Sequence, residues 1–245
     1  MSGWARYLTL ALLALYSLAL PKSAQAVACS NIDFQDNPYT ICEVTADENL
    51  RLWLLDGDQM PYGTFRAITD QLDGQTLSFA MNAGMYHKNR RPVGLYLEGD
   101  TQIGHLSDGG GYGNFGLLPN GVLCIGDKVR VWESTAFASQ SPACRYATQS
   151  GPMLVINGAL HPRFLKGSTS RYIRNAVGTS ADGQRAVFAI SNRPVSFWDI
   201  AVLYRDYLKL PDALFLDGNV SRLYAPELGR ADGGRPMGPI VGVVD

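Results

Sequence analysis

The stretch SFWDIAVLYRDYLKLPDALFLDGNVS, residues 196–221, holds two patterns in succession. In its first half Phe197, Ile200, Ala201, Tyr204 and Leu208 recur at spacings of three and four, the period of a helix. Ser196 is suited to cap that helix, expected over residues 197–210, and Pro211 ends it. In its second half Ala213, Leu214, Phe215 and Leu216 form a short unbroken apolar run, as a strand buried on both faces requires. That strand delivers Asp217 and Gly218 to a sheet end. A carboxylate there is costly unless it is hydrogen-bonded, paired or used. The plain reading is a structural cap for the next turn. The functional one adds N–H groups, freed by the Gly218 turn, that can hold an anion.

Outward from this stretch, strand-like runs dominate. They cover residues 39–44, 50–55, 76–81, 93–98, 121–125, 128–132, 153–156, 173–178, 186–191 and 240–244. Each is short, rich in β-branched or aromatic residues, and ends near Gly, Asn, Asp or Pro. Asn120-Gly121, Asn157-Gly158 and Asp182-Gly183 have the composition of hairpin turns. A second helix is expected over residues 61–72, where Phe65, Ile68 and Leu72 share a face and Pro61 suits a first turn. The pattern predicts an α+β fold: a strand-rich single domain over residues 27–245, with a mixed β-sheet core and a few packed helices.

Composition agrees. The 245 residues are 46% hydrophobic and 18% charged, with a net charge of -1. A disordered chain would be less apolar, and a dedicated nucleic-acid binder would be strongly basic. Glycine, at 26 residues, and proline, at 13, suit many tight turns. The first 26 residues read as a signal peptide. Arg6 precedes an apolar run from Leu8 to Leu20, and Ala24-Gln25-Ala26 gives a cleavage site. That run is shorter than the ~20 residues a spanning helix needs, which disfavours an uncleaved anchor. A lipoprotein is disfavoured because Ala26, not a bulky aliphatic residue, stands three before Cys29. Cleavage would remove Arg6 and Lys22, bringing the charge to about -3. A periplasmic or secreted location follows, with no integral membrane segment after cleavage and no nucleic-acid partner.

Cys29, Cys42, Cys124 and Cys144 all lie beyond the expected cut, and an even count in an exported chain favours disulfides. Of three pairings, Cys29–Cys42 and Cys124–Cys144 close the short local loops. No CxxC, HExxH or GxSxG spacing occurs, and His87, His105 and His161 are too dispersed for a histidine-rich zinc site. No metal ligand set can be named. No cofactor is required, and a divalent cation held by oxygens stays open. Gly111, Gly113 and Gly116 satisfy GxGxxG, but strand and turn follow rather than a helix, so a dinucleotide site is rejected.

Three further segments place polar groups at strand ends. Asn82 runs into Gly84, Tyr86 and His87; Gln149 precedes Gly151 and Pro152; Arg174 is flanked by small residues and needs an anionic partner, either a carboxylate or a ligand. Each has a structural reading: an Asx-turn, a strand entry, or a bridge from Arg174 to Asp217.

In order, Asn82-Ala-Gly84-Met-Tyr86, Pro92-Val-Gly94-Leu95, Gln149-Ser-Gly151-Pro152, Arg174-Asn-Ala-Val-Gly178 and Leu216-Asp217-Gly218 with Ser221 resemble the phosphodiester glycosidase family. The resemblance runs from about residue 76 to residue 244 and is similar to a bacterial periplasmic subfamily. Where the family often carries Leu-Asp-Gly-Gly-Gly-Ser, this chain has Asn219 and Val220. The resemblance implies an exported hydrolase that cleaves a sugar 1-phosphodiester in an envelope or extracellular glycan. Asp217, Arg174 and Asn82 are then the catalytic candidates, with Arg174 clamping phosphate. Gly84, Tyr86, His87, Gln149, Gly151, Gly218 and Ser221 are the substrate-binding candidates. The alternative is a non-catalytic glycan-binding or envelope interaction protein.

Overall fold

The computed structural model describes residues 27–110, 113–218 and 220–245. The expected signal peptide, residues 1–26, lies outside the described residues, as do Gly111, Tyr112 and Asn219. The described chain forms three sheets. A seven-stranded sheet runs, in spatial order, through Ala28–Phe34, Asn37–Thr45, Arg185–Ser191, Asn175–Thr179, Asp212–Phe215, Met153–Ile156 and Ala159–Leu160. A five-stranded sheet orders Arg230–Ala231, Leu223–Ala225, Leu77–Asn82, Ile240–Val244 and Leu50–Trp53. A third, also of five strands, orders Thr101–Ile103, Tyr96–Glu98, Tyr146–Ser150, Gly121–Ile125 and Val129–Glu133.

The mixed sheet expected from sequence is corrected: every strand pairing among the described residues is antiparallel. The unbroken apolar run at 213–216 arises because the central strands of the large sheet are covered on both faces. Alternation in Arg185–Ser191 shows this. Ala186, Phe188 and Ile190 pack into a core shared with the two smaller sheets, while Val187 and Ala189 pack against the helical layer. Phe79 of the second sheet meets Phe188 with ring centroids 5.0 Å apart. Leu214 and Leu216 join the inter-sheet core, and Ala213 and Phe215 the helical side, as the apolar run at 213–216 requires.

The long amphipathic helix begins where expected. Ser196 caps it with Asp199 in a reciprocal capping box, and α-helix spans Phe197–Val202. It then widens into a π-helical turn over Leu203–Tyr207. Tyr204 points inward and donates to the carbonyl of Ala176 at 2.6 Å. Gly178 gives this ring its space: a Cβ there would lie 2.5 Å from Tyr204 Cδ1. The other helix is shorter than expected, Phe65–Thr69, capped by Thr64. Pro61 instead bridges Leu55, and Gly63 takes a positive φ of 64° that breaks the run. A helix over Ser134–Gln140, capped by Glu133, was not foreseen. Of the three proposed hairpin turns, Asn157-Gly158 and Asp182-Gly183 turn strands, whereas Asn120-Gly121 follows a 3-10 turn over Asn114–Gly116 and enters a strand.

Both expected disulfides are present, Cys29–Cys42 and Cys124–Cys144. The first pins facing residues of the opening hairpin, since Cys29 and Cys42 are register partners. No helix among the described residues is long and apolar enough to cross a membrane.

Candidate active site

The site lies where three strand ends converge. Leu77–Asn82 ends in Asn82, Asp212–Phe215 leads to Asp217, and Asn175–Thr179 begins with Asn175. Asn82 is fully buried and knits them together. Its Oδ1 accepts from Asn175 Nδ2 and from the Arg222 backbone N–H at 2.9 Å; its Nδ2 donates to the Asp217 carbonyl at 3.3 Å. The Asp217 N–H donates in turn to the Ala83 carbonyl at 3.1 Å. The backbone of Asp217 is therefore held on both sides by the Asn82–Ala83 segment.

The Asp217 side chain faces a cavity of about 340 Å³, lined by Tyr86, His87, Lys88, Arg90, Asp217, Val220, Arg235 and Pro236. Asp217 is the carboxylate among these, against the cations Lys88, Arg90 and Arg235. The Tyr86 hydroxyl is buried, and burial followed by the Asp217 charge pushes its pKa up to about 12. A neutral phenol therefore stands beside the carboxylate at pH 7. Its ring packs against Gly238, where a Cβ would lie 2.4 Å away, and Arg90 covers the ring at 5.3 Å. Arg90 reaches this place from a tight turn in which its own N–H donates to the His87 carbonyl.

Val220 and Arg235 also line an adjoining cavity of about 390 Å³, with Tyr172, Ile173, Gly218, Ser221 and Arg222. Arg222 is buried, and that burial lowers its pKa while Tyr86 and Asp232 draw it back. The Ser221 hydroxyl donates to the Ile173 carbonyl at 3.0 Å, so it shapes the wall. Among the described residues, no group of three or more His, Cys, Asp and Glu comes together as a metal site.

Of the residues singled out from sequence, Asp217, Tyr86, His87, Gly218 and Ser221 meet at these two cavities. Gln149 does not line them. Its Oε1 accepts from the Leu95 and Ser107 N–H groups, and its Nε2 donates to the Ser107 carbonyl and the Ser134 hydroxyl. The amide is thus fully used inside the protein. Gly84 and Gly151 are close-packing positions. A Cβ at Gly84 would lie 2.3 Å from Thr148 Oγ1, and one at Gly151 1.8 Å from Asn120 Oδ1.

Arg174 lines neither cavity. Its Nε donates to the Val195 carbonyl at 2.9 Å and its Nη2 to the Ser170 carbonyl at 3.2 Å. Its guanidinium stacks 3.6 Å from the centroid of Phe197. The ion pairs among the described residues do not join it to Asp217. Arg90, Arg222 and Arg235 are the arginines in the cavity walls. None is a site candidate from sequence, although Arg222 follows Asp217 by five residues.

An antiparallel three-sheet domain thus presents one carboxylate amid several cations in this cavity. The chain belongs to the phosphodiester glycosidase family, whose model it matches over residues 75–244. It is 34% identical over 220 residues to the uncharacterized protein YigE of Escherichia coli K12, covering 89% of this chain and 84% of that one. Its fold resembles the catalytic domain of zebrafish N-acetylglucosamine-1-phosphodiester alpha-N-acetylglucosaminidase, auto-inhibited by its pro-peptide. The TM-score is 0.61 at 13% identity, with 89% of this chain and 81% of that one covered. A hypothetical protein from Synechocystis gives a TM-score of 0.54 at 15% identity, over 89% of this chain and 61% of the other.

Proposed function

We propose that this protein is an exported hydrolase that cleaves the bond between an anomeric carbon and phosphate in a sugar 1-phosphodiester. The carrying observation is the cavity in which Asp217 stands among Lys88, Arg90 and Arg235, with Arg222 in the adjoining wall. Family membership and the disulfides support the same reading.

The chemistry follows from charge. Cleavage at the anomeric carbon develops an oxocarbenium-like centre, which a nearby carboxylate stabilises or captures. Asp217 takes that role. Arg235 and Arg222 hold the departing phosphate, for which planar guanidinium groups are well suited. Phosphate is already a good leaving group, so a second carboxylate acting as general acid is not needed. The neutral Tyr86 hydroxyl can donate to Asp217 or to a sugar oxygen. Asn82 works through position, holding the Asp217 backbone, and Arg174 braces the wall that carries Tyr172. No cofactor enters the scheme.

The test uses the purified protein, N-acetylglucosamine 1-(methyl phosphate) and water enriched in oxygen-18. Label in the released sugar, lost in Asp217→Asn with unchanged thermal stability, is the expected result. Label in the phosphate would show P–O cleavage, and loss of turnover with chelator would add a cation. Glycan retention without product would favour the binding protein.

A further inference from the structure

A third cavity lies at the edge of the third sheet, beside Gly121–Ile125 and Val129–Glu133. Its volume is about 630 Å³, within the ordinary range for a small-ligand site. Two segments form its walls: the turn Gly126-Asp127-Lys128 and the run Pro142-Ala143-Cys144-Arg145. The Cys124–Cys144 disulfide ties them together, and the Arg145 N–H donates to the Ile125 carbonyl at 2.7 Å. Arg130 and Trp132 complete it.

Alternation along Val129–Glu133 puts Arg130 and Trp132 on one side of the strand. Val131 points to the core, and its N–H donates to Thr179 Oγ1 at 3.0 Å. Thr179 ends the strand that begins with Asn175, the partner of Asn82. Thr179 and Asn175 stand four residues apart along that strand, roughly 13 Å of extended chain.

We infer that this cavity is a second saccharide site, taking a segment of an anionic oligosaccharide. Trp132 supplies an aromatic face of the kind that packs on sugar rings. The Arg130 guanidinium sits 5.8 Å from that ring, and its Nη2 is fixed to the Ala181 carbonyl at 2.7 Å. Its Nε is buried against Gly183, where a Cβ would lie 3.0 Å away, which holds the side chain in place. Lys128, Arg130 and Arg145 stand against Asp127 in the lining. Lys128 also acts on the exposed Asp182, an interaction weak enough to leave it available. Cations beside an aromatic face select a sugar bearing carboxylate or phosphate over a neutral one. This site does not rest on the proposed hydrolysis: it would hold a glycan whether or not the Asp217 cavity cleaves one.

Calorimetric titration of the purified protein with tetragalacturonate, maltotetraose, and maltotetraose bearing one 6-phosphate tests it. Saturable binding of either anionic chain is expected, at least tenfold tighter than neutral maltotetraose. The surface double variant Lys128→Gln/Arg145→Gln should weaken it about tenfold, and Trp132→Phe should weaken it less. Hydrolysis of a small sugar 1-phosphodiester, where present, should be unchanged in the double variant. Binding through the carboxylate chain or the phosphate chain alone would identify the anion. No saturable binding, equal affinity for the neutral chain, or equal affinity in the double variant would overturn the inference.

Discussion

Replacing Asn82 with Ala tests whether that amide braces the site or handles substrate. In the fold its side chain takes one hydrogen bond from Asn175, takes another from the Arg222 N–H and gives a third to the Asp217 carbonyl. The residue has no exposure, so truncation leaves two donors and an acceptor without their partner. A buried group so orphaned costs about 1–3 kcal/mol. Partial relaxation, and water admitted to the vacated space, bring the total for three to about 3–5 kcal/mol rather than a full sum. A domain of this size loses about 2–4 °C per kcal/mol, so the expected drop in Tm is about 6–20 °C. Urea unfolding and calorimetry read this directly. Turnover measured well below the lowered Tm then isolates the chemistry. A variant within about 0.5 kcal/mol of the parent, the level of an ordinary surface change, would refute the bracing argument. Lost hydrolysis at that stability would return Asn82 to the substrate.

Three other outcomes follow from the same structure. Burial and the Asp217 charge raise the Tyr86 pKa from 10.0 to about 12, so the unfolded chain releases this proton first as pH rises. Stability from this group is complete below about pH 10 and declines toward pH 12; Tyr86→Phe should lose less between pH 8 and about 11, and equal losses would sink the assignment. Removing the Cys124–Cys144 bridge, which spans 20 residues, by paired Cys→Ser changes should cost about 3 kcal/mol in urea unfolding; no shift would show the loop is already restrained. Gly84→Ala should destabilise by about 1–3 kcal/mol, because the added Cβ would lie 2.5 Å from the Gln149 carbonyl oxygen, a backbone atom that cannot swing away. An unaltered Tm would refute that packing.

The sequence made local features legible and left reach and direction hidden. The cap at Ser196, the two-sided strand at 213–216 and the two short-loop disulfides each depend on neighbours close in the chain. Strand direction does not: an unbroken apolar run shows that both faces of a strand are buried, not which way its neighbours run. The amides show the same limit. Asn82 is a catalytic and Gln149 a substrate-binding candidate from the resemblance, yet an amide can make four hydrogen bonds and sequence is silent on whether backbone or ligand supplies the partners. Here residues 95, 107 and 134 claim Gln149 across a third sheet. Arg235 enters the cavity from a segment with no strand or helix pattern, and only the folded chain brings it beside Asp217.

Arg174 shows how a sound premise led elsewhere. A buried guanidinium needs compensation, and the sequence reading looked for a negative charge. Besides the attraction of Asp199, the fold compensates it with neutral groups: the Val195 and Ser170 carbonyls, the face of Phe197 at 3.6 Å, and the more distant rings of Tyr172 and Phe215. Burial lowers its pKa to about 10, with Tyr172 and Asp199 opposing, so the cation persists at neutral pH. The Val195 carbonyl also accepts from the Tyr172 N–H, while the Val195 N–H donates to the Tyr172 carbonyl. Arg174 therefore locks the segment that sets Tyr172 and Ile173 in the wall of the second cavity. Arg222 and Arg235, by contrast, line the two cavities that Arg174 does not reach.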